Sequence, residues 1–206
     1  MIACCTTWPA PPAADAWEGL QLRTVPSLRV APRAAAAPHA GLSGRIRPGR
    51  LRTEPAPCRG VATIYRQWHS PTLDRGRDHF PADAEFAFAP GCFDRSLAKI
   101  KAGKAPFFLL AQHDWDWRLA SYSDECLMLT QAEDRLNLTV LPWRRTGRLA
   151  CREVLGLAAL GFRDLSVGAT VMRLARYGRY LIVLRAVLNE VSLVRRGAIA
   201  GAGLLA

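Results

Sequence analysis

From Arg59 onward the sequence is a succession of short apolar runs separated by turn formers, with helical spacing in only two places. That order constrains the fold more than any other feature. Gly60–Tyr65 is a β-type run, and Glu85–Phe93 is a second, carrying the turn signal Pro90-Gly91 near its end. The compact apolar run Phe107–Gln112 reads as a buried strand. Leu127–Thr130 and Leu136–Leu141 read as two strands joined by the polar loop Gln131–Arg135. In the second, Leu136, Leu138 and Val140 recur at the period of a half-buried strand. Leu165–Val171, Arg179–Leu184 and Val187–Val194 complete a β-rich C-terminal part. One helix is expected over Phe93–Lys101, where Phe93, Leu97 and Ile100 share a face and Asp94 and Ser96 lie near the start. The other spans Arg148–Leu160, with Leu149, Val154, Leu157 and Leu160 on one broad face and Gly161 at its end. Strands in succession, without βαβ alternation, predict an α+β, β-rich fold: a small antiparallel β-barrel or twisted sheet with one or two packed helices.

Residues 1–57 have a different character. Ala, Pro and Arg dominate, as in Ala34–Ala37 and Ser43–Arg52, and apolar periodicity is absent. Such a segment buries too little surface to offset its ordering entropy. It is expected to be a disordered or weakly ordered leader, or the product of a start codon placed too far upstream, with one domain over residues 58–206. No basic residue precedes the first apolar stretch, and Pro9, Pro11 and Pro12 interrupt it, which argues against a secretory signal. Arg185, Glu190, Arg195 and Arg196 break the apolar C-terminal third, which argues against a membrane span. The expected location is the cytoplasm. The formal charge of +11 is spread over the whole chain without a basic block, so nucleic acid is not the expected partner. Cys4, Cys5, Cys58, Cys92, Cys126 and Cys151 form no CxxC pair, and the His residues complete no zinc spacing. Free thiols are expected, with no metal and no cofactor.

Three positions can carry chemistry. His113 follows the apolar run Phe107–Gln112, so a strand would fix it and the next loop would expose it, as a general base requires. Ser166 lies early in a strand, and the small Gly168 two positions on leaves room for a substrate backbone; a base would make the serine a nucleophile. Glu190 sits inside an apolar strand, on the face of Leu188 and Ser192, where a carboxylate needs a partner. It has the chemistry to orient an imidazole. Each also has a plainer reading: a surface His beside Asp114 and Asp116, a polar strand residue, an edge carboxylate. The chain order His, Ser, Glu is not that of α/β-hydrolases, and Asp164 stands where a nucleophile elbow has its first Gly. No P-loop, Rossmann glycine pattern or HExxH is present.

Four strings in order carry a resemblance. Phe88-Ala89-Pro90-Gly91-Cys92-Phe93-Asp94-Arg95-Ser96-Leu97 resembles the "Pro-Gly-Ala-Phe … Ser-Leu" element of the tailed-phage prohead (procapsid maturation) proteases. Leu110-Ala111-Gln112-His113-Asp114 looks like that family's "His-Asp" element. Leu165-Ser166-Val167-Gly168 is similar to its "Ser-x-Gly" strand, and Leu188-Asn189-Glu190-Val191-Ser192-Leu193-Val194 to its "Glu-(Val/Ile)-Ser-Leu-Val" strand. The resemblance covers residues 60 to about 203. It implies a fold similar to the herpesvirus assembly protease and a serine endopeptidase acting inside the assembling procapsid of a phage or gene transfer agent, in the bacterial cytoplasm. Ser166 would be the nucleophile, His113 the base and Glu190 the third member. The implied substrates are the major capsid protein and scaffold, with self-cleavage to follow; a homo-oligomer is compatible with it. The sequence departs from the family at Cys92, where Ala is usual. It departs again at Trp115-Asp116-Trp117-Arg118, where a short Pro- and Gly-containing, substrate-facing loop is usual, and at a C-terminus without Pro-Ala. These departures motivate a second reading, a catalytically inactive prophage-derived capsid-assembly or scaffold protein. In it His113 and Ser166 would stand beyond roughly 4 Å.

Overall fold

The computed structural model describes residues 28–29, 55–69 and 84–205. The elements in chain order are β1 (Leu28–Arg29), β2 (Cys58–Ile64), β3 (Glu85–Phe88), α1 (Asp94–Lys101), β4 (Phe108–Ala111), β5 (Asp114–Ser121), β6 (Leu127–Gln131), β7 (Arg135–Val140), α2 (Arg145–Ala159), β8 (Asp164–Tyr177), β9 (Tyr180–Val194) and β10 (Gly203–Leu204). The fold is therefore β-rich α+β, as expected. One sheet runs in the order β5-β4-β9-β8-β10-β2-β7-β6, with β1 added to β8 and β3 to β9. The sheet curls into a nearly closed barrel, and α2 contacts β5 at one end of it and β2 and β7 toward the other. The expected leader, residues 1–57, lies almost wholly outside the described residues. Within it, Leu28–Arg29 pair antiparallel with Val171 and Thr170. No helix among the described residues is long and apolar enough to cross a membrane.

The spine of the sheet is the β8–β9 hairpin. Sequence periodicity suggests two separate C-terminal strands, Arg179–Leu184 and Val187–Val194. The structure joins them through Arg185 and Ala186 into the single 15-residue strand β9. Antiparallel pairing from Asp164↔Val194 to Tyr177↔Tyr180 holds both long strands in register. The two-residue turn Gly178-Arg179 closes it, with Gly178 at a φ of 59°. Three irregularities in register along the hairpin bend it, as bulges do, and so help the sheet to curl.

The expectation of a wholly antiparallel barrel needs correction. β3 and β4 both run parallel to β9, pairing with Tyr180–Val183 and with Glu190–Leu193. Parallel neighbours need long connections, and here α2 and several strands separate the partners along the chain. Between β3 and β4 the chain detours through α1, which leaves the middle of β9 without a strand on that edge. Its backbone groups are satisfied by the detour itself. Ala186 N–H donates to Cys92 O (2.9 Å), Leu188 N–H donates to the Ser96 hydroxyl (3.0 Å), and that hydroxyl donates to Leu188 O (3.3 Å). Phe93 and Ile100 then plug the core beneath the helix, both fully buried.

Two further corrections concern local elements. Trp115–Arg118, expected as a loop, lies within strand β5. The alternation of Trp115, Trp117 and Leu119 with Asp116 and Arg118 is a period-two pattern of an edge strand. Helix α2 begins earlier than expected and buries a different face. Gly147, Ala150, Cys151, Val154 and Leu157 are buried, whereas Leu149 and Leu160 are exposed. Small residues on the buried face let the helix approach the sheet closely, and Trp117 Nε1–H donates to Glu153 (3.0 Å) to tie β5 to it. The thiols of Cys92 and Cys126 are buried, and burial pushes both up from the usual range, which removes them as nucleophiles.

Burial sets the expected cost of core truncation. Leu138 on β7 is 1% exposed and Met128 on β6 is 39% exposed. Leu138→Ala should destabilise the fold by about 2–5 kcal/mol, and Met128→Ala should stay within about 0.5 kcal/mol of the parent. Urea unfolding followed by circular dichroism checks this, the shift appearing in the midpoint rather than the slope.

Candidate active site

Sheet register brings the three candidate residues to one face. β9 occupies the centre, with β8 on one side and β4 on the other. Across β8 and β9, Ser166 pairs with Ser192 and Gly168 with Glu190. Residues two apart on a strand share a face, so Ser166, Gly168, Glu190 and Ser192 form a small square on that face. His113 enters from the opposite side of β9. It lies in the two-residue turn Gln112-His113 that joins Ala111 of β4 to Asp114 of β5, themselves a register pair.

That turn is unusual for its residue types. Gln112 and His113 have φ values of 55° and 61°, the left-handed pair of a type I′ hairpin, where Asn and Gly are usual. Each side chain there costs about 1–2 kcal/mol of backbone strain. Two hydrogen bonds from β9 hold the turn: Gln112 N–H donates to Leu193 O (3.0 Å), and His113 N–H donates to the Ser192 hydroxyl (3.0 Å). The conformation returns the imidazole over β9 toward β8.

There it completes a hydrogen-bonded chain. His113 Nε2 lies 3.1 Å from Ser166 Oγ, and His113 Nδ1 lies 2.8 Å from Glu190 Oε1. Glu190 is 2% exposed and His113 22% exposed. An ionised carboxylate only accepts hydrogen bonds, so Nδ1 carries the proton that faces Glu190. Nε2 of the neutral ring is then the acceptor aimed at the Ser166 hydroxyl. The second carboxylate oxygen is taken by the Ser192 hydroxyl, which donates to Oε2 at 2.6 Å. A buried charge is tolerated only when paired in this way.

All three sequence-predicted residues therefore meet. Two others join them. Ser192 was read only as sharing a strand face with Glu190, and Gly168 only as leaving room for a substrate backbone; Gly168 also leaves the space that Glu190 fills. A Cβ built on Gly168 would lie 1.9 Å from Glu190 Oε1 and 2.7 Å from its carboxyl carbon. The signal for Ser192 was present in its period-two spacing from Glu190. The signal for Gly168 was not, because the pairing of Gly168 with Glu190 is a matter of register.

Beside Ser166, the described strands pair with only part of the second edge of β8. β10 pairs with it at Asp164 and β1 at Thr170 and Val171. Among the described residues, no strand pairs with the same edge between those points. Comparison with family models, with curated proteins and with solved structures finds no match to this chain.

The Gly168 contact makes a direct prediction. Gly168→Ala forces the Glu190 carboxylate off His113, so reaction of Ser166 with a fluorophosphonate probe should slow by about 10²–10⁴-fold, the range spanned by loss of base assistance and of imidazole orientation. Intact-mass spectrometry over time reads the labelling, with circular dichroism as the control for folding.

Proposed function

We propose that this protein is a serine endopeptidase of the prohead maturation type, with a fold similar to the herpesvirus assembly protease. The hydrogen-bonded chain from Ser166 through His113 to Glu190 carries this reading. Ser166 Oγ attacks the peptide carbonyl as His113 Nε2 takes its proton. Glu190 steadies the imidazolium through Nδ1–H. His113 then gives the proton to the leaving amine, and water, activated by the same imidazole, releases the acyl group. A thiol mechanism is disfavoured by the burial of the described cysteines.

The stretch of β8 beside Ser166 that pairs with no described strand supports a peptide as substrate. An extended segment can add to such an edge through main-chain hydrogen bonds, which brings its carbonyls alongside Ser166 with little demand on sequence. Capsid and scaffold proteins, presented at high local concentration within an assembling procapsid, suit a site of that kind. The sequence order of the motifs, from Pro90-Gly91 to Glu190, is the second support. An inactive assembly protein is the competing reading. It requires no contact between His113 and Ser166, and their 3.1 Å approach weighs against it.

Coexpression with a major capsid protein from the same genome tests the proposal. Wild type should shorten the capsid protein to a discrete new terminus by intact mass. Ser166→Ala should reduce that processing on the order of 10⁵–10⁶-fold, to background, while leaving the fold unchanged. Full-length capsid protein with both forms would return the inactive assembly reading to first place.

A further inference from the structure

We infer that Ser192 is a positioning residue that locks acid and base into one frame, a role deeper than that of an ordinary buried serine. The inference rests on the hydrolase reading of the site. Ser192 is 0% exposed, so the site leaves it no contact with bulk water. Its hydroxyl contacts both halves of the proton relay. It donates to Glu190 Oε2 (2.6 Å) and accepts from the backbone N–H of His113 (3.0 Å). One hydroxyl has one proton and two lone pairs, and this geometry uses the proton on the carboxylate and a lone pair on the amide.

The position of Ser192 gives these bonds their consequence. It stands in register with Ser166 on β8 and with Leu110 on β4. It therefore lies in the row between the strand of the nucleophile and the strand that leads to the base. The base sits in a left-handed turn that its own residue type does not favour, with φ of 61° at His113. The Ser192 hydroxyl is the side-chain group that holds the His113 amide in that turn, and it holds Glu190 against the same residue. Without it a carboxylate oxygen and an amide lose their partner together. The turn is then freed toward ordinary backbone angles, and the imidazole with it, away from Ser166.

The test uses the full chain and three variants, Ser192→Ala, Ser192→Thr and Ser192→Cys. Labelling of Ser166 by a fluorophosphonate probe is followed by intact mass over a range of probe concentrations. Ser192→Ala should lower the limiting labelling rate by about 10- to 100-fold, the usual consequence of removing a group that orients a reacting side chain. The half-saturating probe concentration should stay unchanged. Ser192→Thr, which keeps the hydroxyl, should recover most of the rate, and Ser192→Cys should not. If Ser192→Ala does not fold, the Thr and Cys variants make the same comparison. A Ser192→Ala protein that labels at the parent rate, or a Cys variant equal to the Thr variant, overturns the role. Should wild type itself fail to label, the hydrolase reading falls, and the ¹⁵N-imidazole NMR spectrum of His113 decides for Ser192. A protected Nδ1–H signal in wild type that is lost in Ser192→Ala upholds it, and one retained in both overturns it.

Discussion

A carboxylate buried on the central strand of the sheet is the constraint around which this structure is organised. Glu190 is 2% exposed, and an ionised group so placed is expensive unless each oxygen has a partner. One partner is the imidazole of His113, brought from the β4–β5 hairpin. The other is the hydroxyl of Ser192, two residues along the same strand. The space for the carboxylate comes from β8, where Gly168 presents no side chain. Three strands thus meet at one charge. The same arrangement that satisfies Glu190 places the imidazole of His113 against Ser166.

Placement of the base illustrates how strain is distributed. A type I′ turn made of Gln and His is locally unfavourable, and a more relaxed turn would send the imidazole elsewhere. The cost is offset by neighbours that are themselves rigid. β9 is bonded along its length to β8 and, on its other edge, to β3, the α1 detour and β4. A strand held from both sides makes a stiff platform, and the hydrogen bonds that restrain Gln112 and His113 come from it. On the proposed hydrolase reading, preorganisation of this kind would keep the relay aligned before a substrate arrives.

The barrel also bears on what such a site could receive. Among the described residues, no strand pairs with the second edge of β8 beside Ser166, between the pairings of β10 and β1. An unpaired strand edge is ordinarily a liability that proteins cover or charge. On the proposed hydrolase reading, such an edge beside Ser166 would be a place for an extended chain to dock.

Much of this was legible in the residues. Period-two runs such as Leu136–Val140 and the paucity of helical windows determined a β-rich domain with two helices, because burial periodicity is a local property of the chain. Glu190 stood out because a carboxylate inside an apolar strand needs a partner, and His113 and Ser166 because they fall in strings that resemble, in order, those of one family. Other features were decided only by tertiary structure. The exposed Leu149 and Leu160 show that a helix can have an apolar stripe and still be turned by packing, here by the small face of Gly147, Ala150 and Cys151. Trp115–Arg118 alternates like a strand, yet it stands where the resembled family has a loop, and the edge position of β5 accounts for its charges. The parallel course of β3 and β4 depends on β9, which lies far along the chain. So does the pairing of Gly168 with Glu190. The sequence by itself determined which residue types were available for a proton relay. Only the tertiary structure decided that they meet, because register between distant strands is set by the packing of the whole barrel and by no local pattern.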